Sequence, residues 1–305
     1  MIECQSRPTV IAVPAEIPIL GAADGEEKPG YRPHDRNLGP IMTALTPIPY
    51  LKQGVLAAAM MLAAMTTSLH QAHAEPCEAE TFEEAAYVVC TLGEGKSDLR
   101  LFWKGPDGEP YRSFSSLAET VRSEGKTLAL AVNAGMYRAD FSPMGLYVEN
   151  AMELKPANTA EAGGSAGQVP NFYKKPNGVF FLGEAGAGIL PTDEFLTRAP
   201  KVRFATQSGP MLVIAGKLNP IFIVGSTDRT RRSGVGICAS GAVRFAISED
   251  SVNFHDFARL FRDQLKCPDA LFLDGGRGVG LFYPPLGRND RSWHGGYGPI
   301  FGLVE

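Results

Sequence analysis

The chain has 305 residues, of which 44% are hydrophobic and 20% charged, and its formal net charge is −4. That is enough apolar sequence for a sizeable core. The slight acidic excess excludes a general nucleic-acid binder, which needs a basic surface.

Residues 1–49 hold eight of the 23 prolines and no periodic pattern, so they read as a disordered leader or a mis-assigned start, with Met42 as the true first residue. Residues 50–74, "YLKQGVLAAAMMLAAMTTSLHQAHA", have the form of a secretory signal peptide: Lys52 as positive flank, an apolar stretch from Gly54 to Met65, and Ala72-His73-Ala74 as cleavage site. The apolar stretch is short for a membrane span, and no later segment approaches the length a span needs. Cleavage after Ala74 leaves 75–305 as one domain, periplasmic or alternatively secreted, with no membrane attachment.

Short strand patterns follow at Tyr87–Thr91, Leu99–Trp103, Thr127–Val132, Gly145–Glu149 and Gly178–Leu182. Further ones lie at Met211–Ile214, Ile221–Val224, Ala242–Ile247, Leu271–Leu273 and Ile300–Val304. Two helices stand out. Ser116 and Glu119 form a capping-box pattern opening one that Gly125 closes. The other starts near Asn253 and places Phe254, Phe257, Ala258, Phe261 and Leu265 on one face, a stripe suited to packing on a sheet. The Gly/Ala/Ser-rich stretch Asn158–Pro170 reads as a mobile loop. Many strands, few helices and no βαβ alternation predict an α+β domain with a mixed, largely antiparallel sheet core and a few packed helices.

Cys77, Cys90, Cys238 and Cys267 are an even set in an exported chain, which implies two disulfides, and sequence leaves three pairings open. Proximity favours Cys77 with Cys90 and Cys238 with Cys267. No C-x-x-C spacing occurs and only His255 and His294 follow the signal, so structural zinc is not indicated.

Four glycine-bearing polar stretches sit at strand ends: Asn133–Tyr137 (NAGMY), Gln207–Met211 (QSGPM), Arg229–Gly236 (RTRRSGVG) and "LDGGRG" from Leu273. Rigid sheets present functional groups in this way. Asp274 ends an apolar run and is flanked by glycines that allow sharp bending and close approach, so it reads as an acid displayed at a sheet rim. Phosphate-loop and zinc-pair motifs are absent from the sequence. Pro284 and Pro285 forbid the helix that a dinucleotide loop at Gly276–Gly280 would require.

The stretches "NAGMYRADFSPMGLYVEN", "NFYKKPNGVFF", "ATQSGPMLVIAGKLNP", "RRSGVGI", "VNFHDFARLF" and "ALFLDGG", in that order, resemble the phosphodiester glycosidase family, in particular its exported bacterial branch. The resemblance implies an exported hydrolase that cleaves a sugar-1-phosphodiester of an envelope or exopolysaccharide glycan. It marks Arg232 as the phosphate ligand, a role that guanidinium's two-pronged contact suits, and Asp274 as the catalytic carboxylate. Asn133 and Ser208, with backbone N–H groups around Gly135 and Gly209, would bind sugar hydroxyls or phosphate. Plainer roles compete: Arg232 as a surface arginine, Asn133 as a turn cap, and Glu249 and Asp250 as a solvated strand end rather than a second carboxylate.

One position departs from the family pattern L-D-G-x-x-S. Gly278 stands where the serine falls, and Arg277 before it is the candidate to take over the anion contact. The alternative function is therefore a catalytically weakened glycan- or phosphate-binding protein. No cofactor is indicated, although Asp274 suits a hard divalent cation.

Overall fold

The computed structural model describes residues 76–93, 98–164, 168–239 and 241–305. The expected leader and signal peptide lie outside the described residues. In chain order the strands begin with β1 (Cys77–Phe82), β2 (Ala85–Leu92), β3 (Leu99–Phe102), β4 (Leu128–Asn133), β5 (Tyr147–Glu149) and β6 (Met152–Lys155). The middle adds β7 (Gly178–Gly183), β8 (Gly186–Pro191), β9 (Val202–Ser208), β10 (Met211–Ile214), β11 (Lys217–Leu218) and β12 (Ser233–Ile237). Last come β13 (Val243–Ser248), β14 (Asp269–Phe272), β15 (Leu281–Tyr283), β16 (Arg288–Asn289) and β17 (Ile300–Val304). The α-helices are α1 (Phe114–Ser123), α2 (Thr192–Arg198) and α3 (Phe254–Arg259), the last continued by a π-helical turn over Leu260–Gln264.

Three sheets form, ordered β1-β2-β13-β12-β14-β10-β11, β16-β15-β4-β17-β3 and β6-β5-β9-β7-β8. The ladders among the described strands run antiparallel, so this is an α+β domain. All three sheets contribute to the largest apolar cluster, through residues such as Phe245, Val132 and Phe180. Each helix covers an outer face. α3 packs on the seven-stranded sheet, α1 on β4 and β17, and α2 against β7 and β9.

The fit of α3 explains why β12 does not look like a strand. Gly234 and Gly236 read as turn residues, yet they lie in mid-strand. A Cβ at 234 would stand 3.0 Å from Phe261 and 3.1 Å from Phe257, and one at 236 would press on Phe261 and Cys267. Bare backbone there lets the aromatic stripe lie flat on the sheet.

Two expected elements move. α1 is capped by Ser113, whose side chain accepts from Ser116 N at 3.1 Å, one turn before the capping box read from sequence. Its buried stripe of Phe114, Leu117 and Val121 begins earlier than Ser116 and sets the start. The expected strand at Ile221–Val224 does not form. Asn219 ties the chain back through its side-chain amide to Met211 O at 2.9 Å, and the apolar residues that follow turn outward. α2 went unread because seven residues are too few to show a helical period; its signals are Asp193 and Glu194 in the first turn.

Disulfides join Cys77 to Cys90 across β1 and β2, and Cys238 to Cys267 between β12 and the approach to β14. Replacing Cys238 and Cys267 with alanine should lower unfolding free energy by about 2–5 kcal/mol. Urea unfolding of that variant, against the oxidised parent, checks this; an unchanged midpoint would contradict it. No helix among the described residues is long and apolar enough to cross a membrane.

Candidate functional site

Where β4 ends, β12 begins and β14 ends, one hydrogen-bond knot forms. Asn133 Nδ2 donates to Ser233 Oγ at 2.8 Å and to the Asp274 carbonyl at 3.1 Å. Ser233 Oγ donates to the same carbonyl at 2.6 Å, and Asn133 Oδ1 accepts from Gly280 N at 3.1 Å. The Asp274 amide donates to Ala134 O at 3.3 Å. Asn133 is 1% exposed, and its amide is used in holding Ser233, Gly280 and the backbone of Asp274. The sugar-binding role expected for it is therefore corrected to a positioning one.

The Asp274 side chain itself keeps 18% of its surface open and faces Gly278 and His294, with His294 Nδ1 at 3.9 Å from Oδ2. Burial lifts its carboxyl to about 6, against the smaller opposing effects of the Gly275 N–H and of His294. Tyr137 lies close by; burial first and the Asp274 charge second push its phenol up to about 12, and its hydroxyl donates to Gly296 O at 2.8 Å. Trp293 projects beside this rim at 82% exposure, its amide bonded to the Arg277 carbonyl at 2.9 Å. Arg277 itself is exposed.

Gly278 has a definite steric reason. A Cβ there would collide with Asp274 Oδ2, so the carboxylate occupies the space a serine side chain would fill. Gly278→Ala should swing the carboxylate out, destabilise the fold by about 1–3 kcal/mol and return the pH midpoint of Asp274 toward the ordinary carboxylate range. Carboxyl titration by NMR checks this, and an unmoved midpoint would contradict it.

Arg232 does not join this group. Arg232 and Ser233 are consecutive, so they point to opposite faces. Ser233 turns to Asn133 and Asp274, whereas Arg232 turns to the α3 side. There its guanidinium stacks on Phe254 at 3.7 Å, donating from Nε to Val252 O at 2.8 Å and from Nη2 to Asp228 O at 3.1 Å. It is 1% exposed, and burial lowers its pKa to about 10. It is thus a buried arginine and not a surface one, and the expected pairing of Arg232 with Asp274 across one substrate is not formed.

The QSGPM stretch is also interior. Gln207 Oε1 accepts from Leu146 N at 3.0 Å and Asn158 N at 2.9 Å, pinning the start of the loop read as mobile. Ser208 is fully buried, and its hydroxyl has no hydrogen-bond partner among the described residues. A Cβ on Gly209 would stand 2.6 Å from that of Asn177, and one on Gly135 would press on Gln207 O and Thr206. These glycines permit close packing, so the expected ligand contacts from Gly135, Ser208 and Gly209 are corrected to interior roles. Glu249 pairs with Arg288 at 3.0 Å and Asp250 accepts from Ala86 N at 2.8 Å, so both are partnered at an exposed strand end.

Sequence reasoning missed His294 and Tyr137 as neighbours of Asp274; only the proximity of NAGMY hinted at the second. Among the described residues, no group of three or more His, Cys, Asp or Glu gathers to hold a metal ion.

Residues 126–297 match the family described as phosphodiester glycosidase. The chain belongs to that family. Within it, the chain is 32% identical over 185 residues to the uncharacterized protein YigE of Escherichia coli (strain K12), covering 61% of this chain and 70% of that one. The fold resembles the catalytic domain of zebrafish N-acetylglucosamine-1-phosphodiester alpha-N-acetylglucosaminidase, auto-inhibited by its pro-peptide, with a TM-score of 0.52 and 13% identity over 74% of this chain and 81% of that chain. Asp274, His294 and Tyr137 all fall inside the matched phosphodiester glycosidase region.

Proposed function

We propose that the protein is an exported phosphodiester glycosidase that acts on a sugar-1-phosphodiester of an envelope or exopolysaccharide glycan, in the periplasm or secreted. The observation that carries this reading is the Asp274 carboxylate, part-exposed, raised to about 6 and held by its own backbone at the rim of a phosphodiester glycosidase domain. The bond from the anomeric carbon to the phosphate ester oxygen breaks. Water supplies the new hydroxyl on the sugar, and its second proton ends on solvent or on the released phosphomonoester. That leaving group is already an anion and needs little acid assistance, so the chief demand is a carboxylate near the anomeric carbon. Asp274 meets it in its ionised form, either attacking that carbon or drawing the proton from water. Arg277 contacts the diester anion.

The test is a panel of N-acetylglucosamine-1-phosphodiesters and related sugar-1-phosphodiesters offered to the purified protein, with sugar release as readout. Release that Asp274→Asn removes is expected; no release from any member by folded protein would defeat the reading. A second reading, binding without turnover, is favoured by the separate settings of Arg232 and Asp274. It predicts affinity for the same panel without sugar release.

A further inference from the structure

Between β16 and β17 the chain makes an excursion over Arg291–Gly296 that carries Trp293 and His294. Its backbone is tied at several points. The Trp293 amide donates to the Arg277 carbonyl at 2.9 Å, and the His294 amide to Ser292 Oγ at 3.2 Å. Beyond them Arg112 Nη2 donates to Gly295 O at 3.0 Å, and the Tyr137 hydroxyl to Gly296 O at 2.8 Å. Those two anchors are themselves joined: the Arg112 guanidinium lies over Phe141 at 4.3 Å, and Phe141 stacks on Tyr137 with ring centres 5.8 Å apart. Gly295 and Gly296 take φ of 85° and 152°, and a Cβ at 296 would stand 2.7 Å from that of Arg112. Glycine alone follows this path without strain, so the excursion has one imposed shape.

What this shape displays is an open indole. Trp293 leaves 82% of its surface in water, whereas Trp103, the other tryptophan of the chain, is 8% exposed. The neighbouring residue, His294, brings Nδ1 to 3.9 Å from Asp274 Oδ2. An indole on a tied backbone loses little freedom when a ligand lies on it, and its flat apolar face gains by leaving water. Beside a carboxylate that serves an anomeric carbon, the flat apolar surface on offer is a face of the sugar ring. A pyranose gathers C–H bonds on such a face and sends its hydroxyls outward around the edge, where polar groups meet them.

We infer that Trp293 is the sugar platform of the site, its indole stacked on the C–H face of the pyranose whose anomeric carbon Asp274 serves. What that sugar is joined to rests on the phosphodiester glycosidase reading above; the stacking itself does not. Trp293 takes no part in breaking the bond. It sets specificity, favouring a pyranose over an open-chain polyol with the same hydroxyls or a phosphate without a sugar.

Acrylamide quenching of tryptophan emission from the purified protein tests this, because Trp293 is the open one of the two tryptophans. Saturating methyl α-glucopyranoside or methyl α-N-acetylglucosaminide is expected to lower the quenching constant about twofold and shift the emission to the blue, since the ring displaces water from the indole. Sorbitol and dimethyl phosphate at equal concentration should do neither. Where the sugar-1-phosphodiester panel is turned over, Trp293→Ala should raise KM about tenfold with kcat nearly unchanged, and Trp293→Phe should recover most of the loss. Both variants should melt with the parent; a Trp293→Ala protein melting well below it would make the indole a packing residue and overturn the inference. Protection by either methyl sugar without release from any diester upholds the platform and defeats only the hydrolase reading. Release with a KM that Trp293→Ala does not move upholds that reading and overturns the platform, as does the absence of protection. So does a dimer that Trp293→Ala dissolves while no sugar protects, which would assign the indole to a second copy of the chain.

Discussion

Asp274→Asn is expected to lower kcat for sugar release by about 10²–10⁴-fold while making the folded protein more stable at neutral pH. The two effects have one cause. The carboxyl is raised from 3.8 to about 6 in the folded chain by burial. Between about pH 4 and pH 6 the unfolded chain has lost this proton and the folded chain keeps it. Folding therefore takes up a proton in that window, and stability falls as pH rises through it, levelling off above pH 6. By neutral pH the buried charge costs about 3 kcal/mol. Asparagine carries no charge, so the melting temperatures of variant and parent should agree near pH 4 and separate above pH 6, the variant higher. His294 at 3.9 Å and the Tyr137 phenol are the ionisable groups seen to interact with the carboxylate among the described residues. In the parent, kcat/KM should rise through about pH 6 as the reactive form appears. A variant that melts below the parent at pH 7.5 would refute the assignment of burial as the cause, and undiminished kcat would remove Asp274 from the chemistry.

The second large effect belongs to Arg232 and is one of stability. Arg232→Met deletes the donors to the Val252 and Asp228 carbonyls and the cation over Phe254. The Asp228 carbonyl loses its donor and the Val252 carbonyl keeps only the Thr230 amide, which together with the lost stacking should lower unfolding free energy by about 2–5 kcal/mol. Arg232→Lys should recover little, because an ammonium cannot spread over the ring and reach both carbonyls as the planar fork does. Urea unfolding measures this, and a midpoint within experimental error of the parent would show the interactions to be idle. Such a loss separates Arg232 from Asp274 experimentally: one variant impairs folding, whereas the other impairs only turnover.

Much of the architecture was open to inspection of the chain. Val88, Val89 and Cys90, or Leu130, Ala131 and Val132, are apolar runs buried on both faces, and such runs declare central strands without help from neighbours. The four cysteines paired as proximity indicated because β1 and β2 are adjacent and set Cys77 opposite Cys90. Less was open where one residue answers to another far away. Gly234 and Gly236 look like a turn until Phe257 and Phe261 arrive on top of them. Asn133 looks like a ligand until its amide is seen closed around Ser233 and Asp274, 100 and 141 positions along.

The amino-acid sequence alone established an α+β chain of strand-rich composition, the favoured pairing of its cysteines, its phosphodiester glycosidase motifs and the acid proposed to act in them. These follow from local pattern, in which burial and backbone freedom depend on near neighbours. Only the tertiary structure decided that Arg232 and Asp274 face different surroundings, that His294 and Tyr137 stand beside the acid, and that Ile223 and Val224 meet water. Direction along a strand reverses with every residue and turns bring distant segments together, so a side chain's partners are set by the register and packing of strands far apart in the chain.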